Sequence, residues 1–87
     1  MYKLLLMAPD GEFVTEGHDL TFDEAGDLSE DMGSRWIFFP YHFIIKDYGK
    51  VDPHQRIIES NDEMPYLKGK SVMRVQKLFQ EYFQNKY

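Results

Sequence analysis

An apolar block opens the chain, Tyr2 to Ala8 with only Lys3 interrupting it, and stops at Pro9-Asp10-Gly11. A compact apolar run bounded by a turn predicts a buried strand. Proline presets φ in that turn and glycine accepts a positive φ, so Phe13 to Glu16 is expected to return as the second strand of a hairpin. From Leu20 the spacing changes from strand to helix. Thr21 can cap the first free amides and Glu24, three residues on, completes a capping box. Phe22, Ala25, Leu28, Ser29 and Met32 then share one side, and Gly33 stands where a left-handed terminal residue is wanted. Ser34 to Asp47 is rich in aromatic and β-branched residues and predicts one long strand. Pro40 lacks an amide hydrogen, so that strand must lie at an edge there or be bulged and broken in two. Asp47-Tyr48-Gly49-Lys50 supplies a turn, and Arg56 to Glu59 is expected as a short return strand. Asn61 to Gly69 reads as a capped single turn with Pro65 near its start. Ser71 caps a last helix running to about Gln84, with Val72, Val75, Phe79, Tyr82 and Phe83 on its apolar side. The expectation is a single α+β domain over residues 1–87 in ββαββα order. Its three- to four-stranded, mainly antiparallel sheet would be packed by two helices, about 22–32 and 71–84.

The long strand raises a question of coverage. Successive strand residues point to opposite sides, so Ile37, Phe39, Tyr41, Phe43 and Ile45 form one row. Trp36, Phe38, His42 and Ile44 form the other, and both rows are apolar. A sheet with helices on one side and water on the other should alternate apolar and polar. Either the helices cover opposite faces and both rows are core, or both cover one face and an aromatic surface is left for a partner. In the second case Trp36 is the natural anchor, and a homodimer through that face is the simplest form.

Composition sharpens this picture. Seven Phe, six Tyr and one Trp in 87 residues make an unassisted core feasible, although small domains bury only about 60–65% of their unfolded surface. Nothing approaches the ~18 apolar residues of a membrane span. The first apolar run ends too early for a secretory leader. With no cysteine in the chain, disulfide and thiol chemistry are excluded, and a reducing cytosol is the expected setting. The net charge of −5 is unevenly placed. Residues 1–34 hold nine acids and one base, a balance of −8, and residues 35–87 hold six acids and nine bases, a balance of +3.

Much of the acid lies on the first helix. Asp23, Glu24, Asp27, Glu30 and Asp31 fall within about 120° of the helical wheel, opposite the apolar side. Asp23/Asp27 and Asp27/Asp31 are like charges at i,i+4, each costing a few tenths of a kcal/mol. Glu30 and Asp31 stand in the last turn, where the helix dipole favours cations. A solvated face explains such a run, and so does a patch that meets a basic partner.

Catalytic patterns fail. Gly69-Lys70-Ser71 imitates the end of a P-loop, but the position of the first glycine is Met64 and no apolar strand precedes it. Asp27, Ser29 and Asp31 have the spacing of an EF-hand start, but the turn position is Met32 and position twelve is Phe38. His18, His42 and His54 lie in separate segments without zinc-ligand spacing. His42, inside the aromatic strand, and His54, beside Asp52, are the candidates for an enzyme using a histidine with a carboxylate. A basic stripe of Lys70, Arg74 and Lys77, with Lys68 before it, faces away from the apolar side of the last helix. Four bases on an acidic chain make at most a weak nucleic-acid footprint.

The stretch Val14 to Ala25 resembles the strand-to-helix step of HicB-type antitoxins, where a hairpin feeds an acidic helix. The aromatic strand and the final helix have no counterpart there, and no family assignment follows. The leading functional expectation is a small, non-catalytic binding protein without metal or cofactor, of which an inhibitor or nucleic-acid mimic is one form. Its contact residues would be Asp23, Glu24, Asp27, Glu30, Asp31, Trp36, Phe38 and His42, and its partner a basic protein or a second copy. The alternatives are the histidine enzyme and a weak nucleic-acid binder using Lys68 to Lys77.

Overall fold

A computed structural model describes residues 1–33, 38–60 and 67–84. Strands β1 (Tyr2–Met7) and β2 (Phe13–Leu20) form the first hairpin. Its turn closes through Gly11 N–H to Ala8 O at 2.9 Å and Ala8 N–H to Glu12 O at 2.7 Å, with Gly11 at φ 92°. Helix α1 spans Phe22–Gly33, β3 Tyr41–Lys46, β4 Glu59–Ser60 and α2 Val72–Gln84. The four strands make one antiparallel sheet in the order β2-β1-β3-β4.

β1 is central, which is why its side chains are apolar on both faces. Leu5 and Met7 look one way, with Phe43 and Ile45 of β3, and meet Val72, Val75 and Phe79 of α2. Leu4 and Leu6 look the other way, with Ile44, and meet Ala25, Leu28 and Met32 of α1. The helices therefore cover opposite faces. α1 starts with the expected capping box: Thr21 N–H donates to Glu24 Oε1 at 2.9 Å and Glu24 N–H to Thr21 Oγ1 at 3.1 Å. α2 is capped by Ser71, whose Oγ accepts from Arg74 N–H at 3.2 Å.

Several expectations need correction. β3 starts only at Tyr41; Phe38 lies in a turn and Phe39 and Pro40 outside any strand, so the ladder begins after the residue that cannot donate to it. The remainder of the expected long strand, 34–37 with Trp36, lies outside the described residues, as do 61–66 of the expected turn. The return strand is shorter and later, Glu59–Ser60 paired with Ile44 and Phe43, while Arg56 bridges Ser71 instead. Tyr82, expected on the apolar side of α2, is exposed. α2 crosses the hairpin turn at Gln76 and Gln80, which come close to Gly11 just before Tyr82 is reached. Phe22 is 43% exposed and rests edge-on against Tyr2, with ring centroids 5.7 Å apart.

Candidate functional site

The acidic side of α1 is built by the cap and by the packing opposite it. Ala25, Leu28 and Met32 seat the helix on the sheet, which turns Asp23, Glu24, Asp27, Glu30 and Asp31 outward, and all five are exposed. Glu24 is occupied by the cap and Asp23 benefits from the N-terminal dipole. Asp27 and Glu30 lie beyond the first turn that the dipole favours, and no basic residue stands in the last turn. Among the described residues no group of three or more acidic, histidine or cysteine side chains is arranged to hold a metal ion.

The other expected contact residues, His42, Phe38 and Trp36, do not share one described strand face. His42 is 4% exposed, beneath α1, so the row of β3 that carries it with Ile44 is roofed by the chain itself. Buried in this way, His42 offers no surface of its own for a partner to touch. Phe38 is 76% exposed, but in the turn before Pro40 and not on a strand row. Trp36 lies outside the described residues.

His42 has a role inside the fold. Its Nδ1 lies 2.9 Å from Ser29 Oγ, joining β3 to the buried side of α1, and among the described residues its buried Nε2 has no hydrogen-bond partner. Burial lowers its pKa below the usual imidazole value, against an opposing effect from the backbone of Ser29 and Phe39. The ring is thus held neutral at pH 7. Among the described residues its side-chain partner is a hydroxyl and not a carboxylate. His54 is exposed, and its backbone N–H donates to Asp52 Oδ1 at 2.8 Å. His18 is exposed too, with Nδ1 at 3.8 Å from Asp19 Oδ2.

A second buried polar group went unread in the sequence. Lys3, in the middle of an apolar run, is only 5% exposed; its Nζ donates to Gly49 O and lies 3.7 Å from Asp47 Oδ1. Asp47 also accepts Asp19 N–H on Oδ2 at 2.8 Å and Gly49 N–H on Oδ1 at 2.9 Å. These two amides, followed by the Lys3 charge, hold its carboxyl below the usual aspartate value. The carboxylate fastens an irregular part of β2, where the register with β1 slips between Tyr2 and Leu4 and both Gly17 and Asp19 have positive φ, 68° and 53°. A carboxylate tied this way accepts hydrogen bonds and has no proton to give near neutrality. Its work is structural: it pins the edge strand to the end of β3. The only signal for it in the sequence was a lone lysine in a buried strand.

No protein-family model matches the chain, and neither the curated proteins nor the solved structures compared with it gave a match.

Proposed function

We propose that this chain, a single ββαββα domain, is a small non-catalytic binding protein of the cytoplasm that docks on a basic protein through the carboxylates of α1. The observation that carries this reading is the outward face of α1, where Asp23, Glu24, Asp27, Glu30 and Asp31 are all exposed and no basic residue stands in the last turn. Charge held against the local rule is where function is to be sought. Such a face raises encounter rates and selects partners of opposite sign. In its inhibitor form the spaced carboxylates would occupy a phosphate-binding groove of the partner.

The test is a labelled lysine–arginine decapeptide titrated over a salt series. Asp27→Asn/Glu30→Gln/Asp31→Asn should weaken binding about tenfold and flatten its salt dependence. Glu12→Gln/Glu16→Gln/Glu81→Gln removes the same net charge elsewhere and should leave most of the affinity. Equal losses in the two variants would show that net charge alone, and not the α1 face, attracts the peptide.

A further inference from the structure

The bases of this acidic molecule are gathered as deliberately as its acids. The loop at 52–56, the turn at 67–70 and the first turn of α2 are sewn together by Ile57 N–H to Lys70 O at 2.9 Å, Val72 N–H to Gln55 O at 3.0 Å and Met73 N–H to Pro53 O at 3.0 Å. Arg56 Nη1 adds a bond to Gly69 O at 2.7 Å. Between these three segments lies an open recess of about 660 Å³, walled by Arg56, Lys68, Lys70 and Arg74 with His54, and among the described residues no carboxylate lines it. Four of the ten lysines and arginines of a chain of net charge −5 thus face one space. Glu59, outside the recess, lies 3.3 Å from Lys68 Nζ and offsets one of them.

The amides at the start of α2 do not make this site. Val72 and Met73 donate to carbonyls of the loop and Arg74 to the Ser71 hydroxyl, so nothing like a glycine-rich phosphate cradle is left open. Recognition would come from side chains: arginine forks and lysine point charges, which together suit a multiply charged oxyanion better than a single carboxylate. The volume lies within the usual ~300–1,000 Å³ range for small-molecule sites.

A neighbouring recess of about 390 Å³ shares His54 and Arg56 with the first, and its wall includes Tyr48, Lys46 and one carboxylate, Asp52. That ring is 69% exposed, a large aromatic surface with no core to join. We propose that the two recesses together take a nucleotide, its phosphates among Arg56, Lys68, Lys70 and Arg74 and its base against Tyr48. An aromatic face beside a basic groove is the pairing by which unpaired nucleotides are held. This site is independent of the acidic face of α1.

The experiment is an amide NMR titration of the full chain with three probes: pyrophosphate, adenosine diphosphate and a thymidine decanucleotide. Pyrophosphate and the nucleotide should shift the amides of residues 54–56 and 68–74 saturably, with the nucleotide the tighter ligand. Lys70→Gln/Arg74→Gln, both away from the buried core, should weaken both at least about tenfold, the loss of one to two charge-assisted contacts. Tyr48→Ala should bring the nucleotide down to the affinity of pyrophosphate. Decanucleotide binding with a log–log salt slope of about −3, as four phosphate contacts on a single strand would give, makes the natural source a nucleic-acid strand. Failure of the decanucleotide while adenosine diphosphate still binds makes it a free nucleotide. No saturable shift at these amides by ~10 mM probe, or full affinity in the folded Lys70→Gln/Arg74→Gln variant, overturns the site. A nucleotide no tighter than pyrophosphate overturns the role of Tyr48 and with it the nucleotide assignment.

Discussion

The two faces of the sheet are packed by the same device, one helix each, and with very different material. Against α2 the described residues gather nine buried apolar side chains, Leu5, Met7, Phe43, Ile45, Ile57, Leu67, Val72, Val75 and Phe79. Tyr41 meets Phe79 edge-on there, with centroids 4.8 Å apart, and Phe43 tilts against the same ring at 6.2 Å. Against α1 the buried cluster is Leu4, Leu6, Ala25 and Ile44, with a histidine set among them. Burial of rings contributes far more than burial of an alanine, so the fold is held chiefly from the α2 side. The α1 side holds a helix in place while leaving its outer face free to be acidic.

The largest expected effect tests that asymmetry directly. Phe43→Ala or Phe79→Ala should cost about 3–5 kcal/mol, a large share of the ~4–13 kcal/mol expected for a domain of this length. Leu28→Ala, half-buried on the α1 side, should cost about 1 kcal/mol. Urea midpoints at constant m-value measure both. Similar losses from Phe43→Ala and Leu28→Ala would mean that the two faces share the load and that the comparison is wrong.

Much of this architecture was legible in the chain because it is local. The hairpin turn at Pro9-Asp10-Gly11, the Thr21–Glu24 capping box and the Ser71 cap each depend on residues within four positions of one another. The alternation of Tyr41, Phe43 and Ile45 against His42 and Ile44 was legible too, since strand period alone sets it. What each row meets was not. Ser29 stood on the buried side of α1 and His42 on a strand row, but their pairing depends on which face α1 crosses to, a matter of topology. Lys3 and Asp47 are likewise 44 positions apart and meet only because β1 and β3 are neighbours. The acidic face needed nothing but the helical period, which is why its exposure could be anticipated while that of His42 could not.

Acid should act on the α1 side first. The pKa of His42 is lowered in the folded chain, so above the ordinary value of about 6.5 the ring is neutral in both states and costs nothing. As pH falls through that value the unfolded chain takes the proton first, and stability declines until the folded pKa is passed. Asp47 works lower down. Its carboxyl is depressed in the fold, so its contribution is complete above about pH 4 and is lost as pH falls through the folded pKa. Between pH 7 and about 5 the loss should therefore come from His42. Urea midpoints across that range should fall in the unmodified chain and stay nearly level in Ser29→Ala/His42→Leu. An equal decline in both would place the acid sensitivity elsewhere.

The smallest effect sets two glycines against each other. Gly26 lies inside α1 with open space where a Cβ would stand, and its φ lies outside the positive region. There an alanine keeps the helical backbone and restricts the unfolded chain, so Gly26→Ala should stabilise the domain by about 0.5–1 kcal/mol. Gly17 differs on both counts. Its φ is 68°, and a Cβ would come within 2.7 Å of Leu20 Cδ1 and 3.3 Å of Leu28 Cδ2, so Gly17→Ala should destabilise. Opposite signs in thermal midpoints would show that α1 is soft by its own sequence and is kept in place by its seat on the sheet. A gain at Gly26 that leaves decapeptide binding unchanged would further separate the stability of α1 from the charge on its outer face. A gain that alters binding would mean that the looseness of the helix is itself part of how it docks.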